Sequence, residues 1–419
     1  MISLIEALNF RCLRYIRQPL GRFHVLVGPN ASGKTTFLDV VSFLGRLVSG
    51  DLEGAVADRT RNFQDLVWQR SGERFELAVE AAIPSELREK LPHQRHGIMR
   101  YEVAIGIDPQ TREVSILGEK ALLKETSTAP VSQRSLFPAE VNPPDTILTG
   151  RAGGGARTIV NKVPGGNDNF YSEVHGESGK GWAPAFKLGP RKSALANLPA
   201  DETKFPVATW LKGLLAEGVQ QLILNSLAIR QASPPGQVRR FKPDGSNLPW
   251  VIDEFARNSP QRFREWISHL QTALPDLKDI RTVERPDDKH RYLVLRYDGG
   301  AEVPSWVASD GTLRLLALTL PAYLTNAKGI YLIEEPENGI HPRAAEAVFQ
   351  SLSSVYDAQV LLATHSAVIL SIVDVADVLC FAKTPQGATD IVAGSHHPDL
   401  QDWRGETDLG VLFAAGVLG

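Results

Sequence analysis

Residues Gly28-Pro29-Asn30-Ala31-Ser32-Gly33-Lys34-Thr35-Thr36 match the phosphate-loop pattern G-x-x-x-x-G-K-[ST] in full. A loop of this kind turns successive backbone N–H groups inward, and the helix after it adds positive potential for phosphates. Gly28 and Gly33 let the backbone approach closely. Lys34 has the length to reach β- and γ-phosphates, and the Thr35 hydroxyl is placed to hold Mg²⁺. A chance Gly-rich turn would lack the flanks seen here. Residues 23–27 are a short apolar run, and residues 36–44 carry apolar side chains at helical spacing.

The loop by itself says that a nucleotide binds. Two carboxylates far downstream say what happens to it. Gly329-Ile330-Tyr331-Leu332-Ile333-Glu334-Glu335-Pro336 is an apolar run ending in acid. Such a run suits a central parallel strand covered on both faces, and ligands sit at the carboxyl ends of these strands. Glu334 can support Mg²⁺, directly or through water. Glu335 can act as base, or orient the water that attacks a γ-phosphate. A solvated acidic turn is the plainer alternative. A third apolar run, residues 359–363, ends in Thr364-His365-Ser366. His365 there can contact the γ-phosphate and sense its loss, although taken alone it reads as an ordinary strand-end histidine.

The remaining chain must position these groups. Residues 75–83 alternate in part, as a half-buried strand does. Residues 101–107 and 113–117 flank the turn Asp108-Pro109-Gln110-Thr111, a hairpin signal. Residues 126–144 are rich in Ser, Thr and Pro, 150–155 are almost all small, and Gly165-Gly166-Asn167-Asp168 is a turn cluster. Short strands at 157–163 and 170–174 can pair across that turn. The segment reads as a long surface insertion with a flexible tip, or as a contact arm for a partner. Residues 210–229, 251–255 and 261–274 have helical spacing, and Arg239-Arg240-Phe241-Lys242 is a small basic cluster. Ser309-Asp310-Gly311-Thr312-Leu313-Arg314 opens an amphipathic helix. Ser309 and Gly311 then occupy its N-terminus, as a cap, as an anion site, or as both. Residues 378–382 begin a hairpin-like stretch, and the apolar residues 408–419 read as a packed last helix or a docking segment.

These three stretches, in this order, resemble the ATPase core of the ABC class, in the branch with SMC-like, RecF-like and OLD-family ATPases. Ile5-Glu6-Ala7-Leu8-Asn9-Phe10-Arg11 is similar to that branch's opening strand, and residues 309–314 to its signature loop. Glu334-Glu335-Pro336-Glu337-Asn338-Gly339-Ile340-His341-Pro342 resembles the extended Walker B and D-loop, and Thr364-His365-Ser366 the switch histidine. The resemblance covers roughly residues 1–120 and 200–385 and is specific for the core rather than for the biological role. Two positions depart from it. Asp310 stands where transporters have Gly, and Glu334 where Asp is usual. Gln64 and Gln69 both compete for the Q-loop position.

The resemblance implies an α/β fold: an ABC-type ATPase head, a mixed sheet around the phosphate loop, with an antiparallel β subdomain and a helical subdomain. The expected division is 1–120 (phosphate-loop half with antiparallel sheet), 121–205 (irregular Gly/Pro-rich insertion), 206–300 (helical subdomain) and 301–419 (signature, Walker B and switch-histidine half). It also implies two subunits sandwiching two ATP molecules, each signature loop serving the other's nucleotide. The ligand set would be ATP with residues 28–36, Ser309 and Gly311, and Mg²⁺ with Thr35 and Glu334. Lys34, Glu335 and His365 would carry the chemistry.

Composition sets the outer bounds. The chain has 419 residues, 43% hydrophobic and 22% charged, with net charge −3, an ordinary globular balance. That charge argues against coating nucleic acid by charge alone, though a local basic face would still fit. Cys12 and Cys380 imply neither a disulfide framework nor a metal cluster. No signal peptide and no membrane-length apolar run is read, so a cytoplasmic protein is expected. No heptad pattern persists over three or four repeats, which removes coiled-coil arms. Only about 50 residues follow His365, too few for the Toprim nuclease domain of OLD-family enzymes. The expectation is a homodimeric ATPase switch with a separately encoded nuclease or toxin as effector, in a bacterial defence system. The alternatives are a RecF-like DNA-binding ATPase and, less well fitted, a transporter subunit. His396-His397-Pro398-Asp399, the nearest thing to a second metal cluster, reads as a polar loop.

Overall fold

In a computed structural model, the described residues are 1–92, 94–126, 134–150, 155–174, 184–325, 327–400 and 408–418. The chain builds the expected α/β architecture around three sheets. The six-stranded sheet runs in the order Val219–Leu222, Gly329–Glu334, Ala358–Ala363, Phe23–Val27, Val378–Lys383, Thr389–Ala393. Its first five strands are parallel, and the last pairs antiparallel with its neighbour.

Alternation along these apolar strands serves two cores. Leu26, Ile330, Leu332, Leu361 and Leu379 face one side, while Val25, Val27, Tyr331, Ile333, Val360 and Leu362 face the other. Each fully buried side chain of this size contributes about 1.5–3 kcal/mol. Helix Lys34–Ser49 packs on the first side, burying Phe37, Leu38, Val40, Val41, Phe43, Leu44, Leu47 and Val48. Helices Leu248–Asn258, Pro260–Gln271, Asp310–Thr319 and Pro342–Ser353 cover the second. Sequential strands that must receive helices on both faces explain why the runs carry no polar alternation.

Beyond helix Lys34–Ser49 lies an eight-stranded antiparallel sheet. It starts with Leu13–Pro19, Ile2–Phe10, Arg74–Ala82, His96–Ile107 and Val114–Glu125, and continues through Ala156–Lys162, Asp168–Phe170 and Ala185–Phe186. The third sheet, Leu277–Glu284, Arg291–Tyr297 and Glu302–Pro304, leans on the second core.

Three expectations need correction. The strand around residues 75–83 is buried on both faces, not half-buried. Its polar face carries Glu76 and Glu80, and residues 145–149 cover it: Glu76 accepts from Thr146 Oγ1 and Ile147 N–H, each at 2.7 Å. Arg100 sits among Glu6, Glu80 and Glu102 at 2.9, 3.3 and 2.6 Å. Charges that pair in this way bury like apolar groups, so periodicity alone misjudges the face. The stretch 210–229 is not one helix. Helix Pro206–Ala216 stops, and Val219–Leu222 joins the sheet edge, where Gly218 O accepts Ile330 N–H at 2.9 Å. Residues 121–205 are not simply irregular: their strands extend the eight-stranded sheet, and Glu119 binds them to it. The expected flexible tip, 151–154, lies outside the described residues, and so do residues 175–183.

Candidate active site

Gly33 ends the phosphate loop at φ 108° and begins helix Lys34–Ser49 with no side-chain cap. The first N–H groups of that helix are thus left for a ligand. Lys34 is buried, and its ammonium donates to Gly28 O at 2.7 Å and Pro29 O at 3.0 Å. Burial pushes its pKa down to about 8, against Glu335 and Glu334, which favour the charged form.

Strand Gly329–Glu334 lies two strands from Phe23–Val27 and parallel to it, with Ala358–Ala363 between. Parallel strands deliver their carboxyl ends to one edge, so the loop, the two glutamates and the histidine converge. A cavity of about 520 Å³ is lined by residues 30–36, Glu334, Glu335 and His365. The Thr35 hydroxyl is hydrogen-bonded to Glu334 Oε2. Hydroxyl and carboxylate oxygens are the hard ligands Mg²⁺ takes, so these two residues fit the expected ion.

Glu335 adopts φ 47°, a left-handed conformation that costs a non-glycine residue roughly 1–3 kcal/mol. Its N–H donates to Ala363 O at 2.8 Å, which holds the bend, and Asn338 Nδ2 donates to its carboxylate. His365 Nε2 lies 4.0 Å from Glu335 Oε1. Burial first, and then Lys34, lower the His365 pKa, while Glu335 and Glu337 oppose this. Glu337 fixes the histidine turn by accepting from Thr364 Oγ1 at 2.6 Å and His365 N–H at 2.9 Å.

Ser309 and Gly311 do not line this cavity. Ser309 caps helix Asp310–Thr319 by accepting from Thr312 N–H at 3.1 Å. Gly311 abuts the turn after Glu335: a Cβ there would come within 2.8 Å of Gly339 O. Of the two Q-loop candidates, Gln69 lines the cavity and Gln64 does not. Phe241 of the basic cluster is a core residue. His397 is buried against Phe137 and accepts from Asp399 N–H, whereas His396 pairs with Ser395, so the two imidazoles serve different neighbours.

The family described as "AAA domain, putative AbiEii toxin, Type IV TA system" matches residues 23–95 and 177–371. The chain belongs to this AAA-domain family. Over 52 residues, 12% of this chain, it is also 44% identical to an OLD nuclease of Thermus scotoductus. That match spans 9% of the relative's length. The fold is similar to a crystallised SMC head bound to the C-terminal winged-helix domain of ScpA, at TM-score 0.52 and 13% identity, covering 93% of this chain and 96% of the other. It is similar to the same degree, TM-score 0.52 at 12% identity over 93% and 95%, to the SMC head with an extended coiled coil from Pyrococcus furiosus. This AAA-domain chain thus carries a phosphate-loop domain with the fold of the SMC heads. No helix among the described residues is long and apolar enough to cross a membrane.

Sequence reasoning missed several residues of this AAA-domain site. Arg11 and Cys12 on the first β-turn, Asp65, Arg70 and Lys383 also line the cavity. For Lys383 a signal existed: it is a charged residue at the carboxyl end of an apolar strand run.

Proposed function

We propose that this chain is an ATP-binding and ATP-hydrolysing switch that pairs with a second copy when ATP is bound and controls a separate effector, a nuclease or toxin, in a bacterial defence system. The observation that carries the reading is the convergence of Lys34, Thr35, Glu334, Glu335 and His365 on one cavity. Lys34 pairs with the phosphate chain. Glu335, bent out of its strand and held by Asn338, orients and deprotonates the attacking water. His365, neutral at physiological pH, faces that carboxylate and reads the γ-phosphate. Bound Mg²⁺ would neutralise charge on the phosphate oxygens from Thr35 and Glu334. In-line transfer to water needs positioning and electrostatics more than covalent help.

Pairing is inferred because Ser309 and Gly311 sit at a helix N-terminus outside their own chain's cavity. A second copy brings such a loop to the γ-phosphate, and the nucleotide then biases an open–closed equilibrium. The effector reading draws on the OLD nuclease similarity and on the SMC head crystallised with a separate protein, ScpA. The experiment is light scattering of the Glu335→Gln protein with and without ATP and Mg²⁺, together with co-purification of the neighbouring gene's product. A mass that doubles with ATP supports the switch; an unchanged monomer sinks the sandwich. ATP turnover that rises with duplex DNA and needs no protein partner would replace the effector reading with a RecF-like one. Plasmid cleavage by the purified chain with Mg²⁺ or Mn²⁺, lost on His396→Ala, would make the chain itself the nuclease.

A further inference from the structure

The hairpin Val378–Lys383 and Thr389–Ala393 lies beyond the residues matched to the family, yet it is built against the phosphate loop. Thr389 is buried. Its hydroxyl donates to Ser32 O at 2.8 Å, and its N–H donates to Cys12 O at 2.9 Å. A Cβ on Gly33 would collide with Thr389 Oγ1, and one on Gly28 with Phe381 O. The loop's two glycines therefore serve the hairpin behind it as well as any phosphate in front.

Lys383 is the register partner of Thr389. Side chains of directly paired residues leave the same face of a sheet. Since the Thr389 side chain meets Ser32 and Gly33, Lys383 projects on the loop's side as well, and it lines the cavity with Thr35 and Thr36. Among the described residues, four Lys or Arg side chains stand on that wall. Three are engaged: Arg11 with Asp39 at 3.1 Å, Arg70 with Asp65 at 3.0 Å, and Lys34 with loop carbonyls. Lys383 is exposed and makes no ion pair among the described residues. An exposed, flexible ammonium at the rim of a phosphate loop is matched to an anionic ligand.

We propose that Lys383 is a further nucleotide-contacting residue, bringing its ammonium to the phosphate chain from a hairpin that Thr389 locks to the loop. This rests on the ATP-site reading above and adds a cationic contact from outside the phosphate-loop motif.

The test is titration calorimetry of the full chain with ATP and with inorganic triphosphate, on Lys383→Ala, Lys383→Gln, Lys383→Arg and Lys34→Ala. Lys383→Ala and Lys383→Gln are expected to bind both ligands about tenfold more weakly, as for loss of one contact to a charged group. Lys383→Arg should restore binding, and the melting temperature without ligand should stay at the wild-type value. Wild-type affinity in Lys383→Ala, with binding lost in Lys34→Ala, overturns the Lys383 contact and leaves the ATP site standing. Loss with ATP but not with inorganic triphosphate moves the contact to the base or ribose and overturns the phosphate assignment. No binding by the wild type, or equal binding by wild type and Lys34→Ala, removes the ATP-site reading itself and the proposal with it.

Discussion

The Thr35 hydroxyl donates to a carboxylate oxygen of Glu334, 299 positions further along the chain. Two oxygens that suit one divalent ion are thus already in contact, and the ion must insert between groups that otherwise satisfy each other. Thr35→Val and Glu334→Gln should each raise the Mg²⁺ concentration for half-maximal ATP turnover by about tenfold or more. The double variant should cost less than the sum, because both act on one site. Strict additivity in this double-mutant cycle would mean that the two residues serve separate sites.

Lys34 and Glu335 face the same cavity, and the proposed function gives them different tasks. Lys34→Ala is expected to weaken ATP binding, measured by calorimetry. Glu335→Gln is expected to bind ATP normally and lose turnover by roughly 10²–10⁴-fold. Wild-type hydrolysis in Glu335→Gln would refute its assignment as the water-activating carboxylate.

Burial holds the Lys34 pKa at about 8 in the free protein. Phosphate favours the charged form, so binding must raise that value. Well below pH 8 the ammonium is already charged and binding takes up no proton. Near pH 8 about half a proton is absorbed, and affinity declines as pH climbs through that value. His365, lowered by burial and by Lys34, stays neutral over this range. Calorimetry in buffers of different ionisation enthalpy reads the uptake directly. Uptake near pH 6 instead would point to histidine.

Glu119 is buried and accepts from Tyr101 Oη at 2.9 Å, Ser193 Oγ at 2.7 Å, Ala194 N–H at 2.7 Å and Leu195 N–H at 2.9 Å. Burial, reinforced by this carboxylate, drives the Tyr101 pKa well up. Glu119→Ala strands four buried donors and should destabilise the protein by about 3 kcal/mol or more. Urea unfolding midpoints measure this; a change under about 1 kcal/mol would show that residues 193–195 are not anchored by this carboxylate.

The three central strands were legible because each apolar run ends in a residue type suited to chemistry: the loop, Glu334-Glu335, and Thr364-His365. Helix Asp310–Thr319 was legible from its Ser309 cap. What the sequence left hidden is held by contacts between distant residues. Val219–Leu222 is too short, and too rich in Gln, to show a strand period, and it became one by pairing with residues 330–333. Glu119, Glu173 and Glu76 look like surface carboxylates until backbone N–H groups from remote segments fill their lone pairs. Glu173, held by Val207 and Ala208 N–H groups at 2.7 Å, is the anchor of helix Pro206–Ala216, and burial raises its pKa to about 7. Thr389 carries no motif at all, since its role is to stand behind one.

Strand Phe23–Val27 has residues 360–363 on one edge and 378–380 on the other. The phosphate loop is made long before either of the two strands that frame it. Until then its flanking strand is an open edge, exposed to mispairing. Closing so long a loop is slow, because its entropy must be lost before any contact rewards it. Nucleotide bound to the assembled site would raise stability by mass action, so ATP should protect the folded chain from unfolding without hastening its refolding.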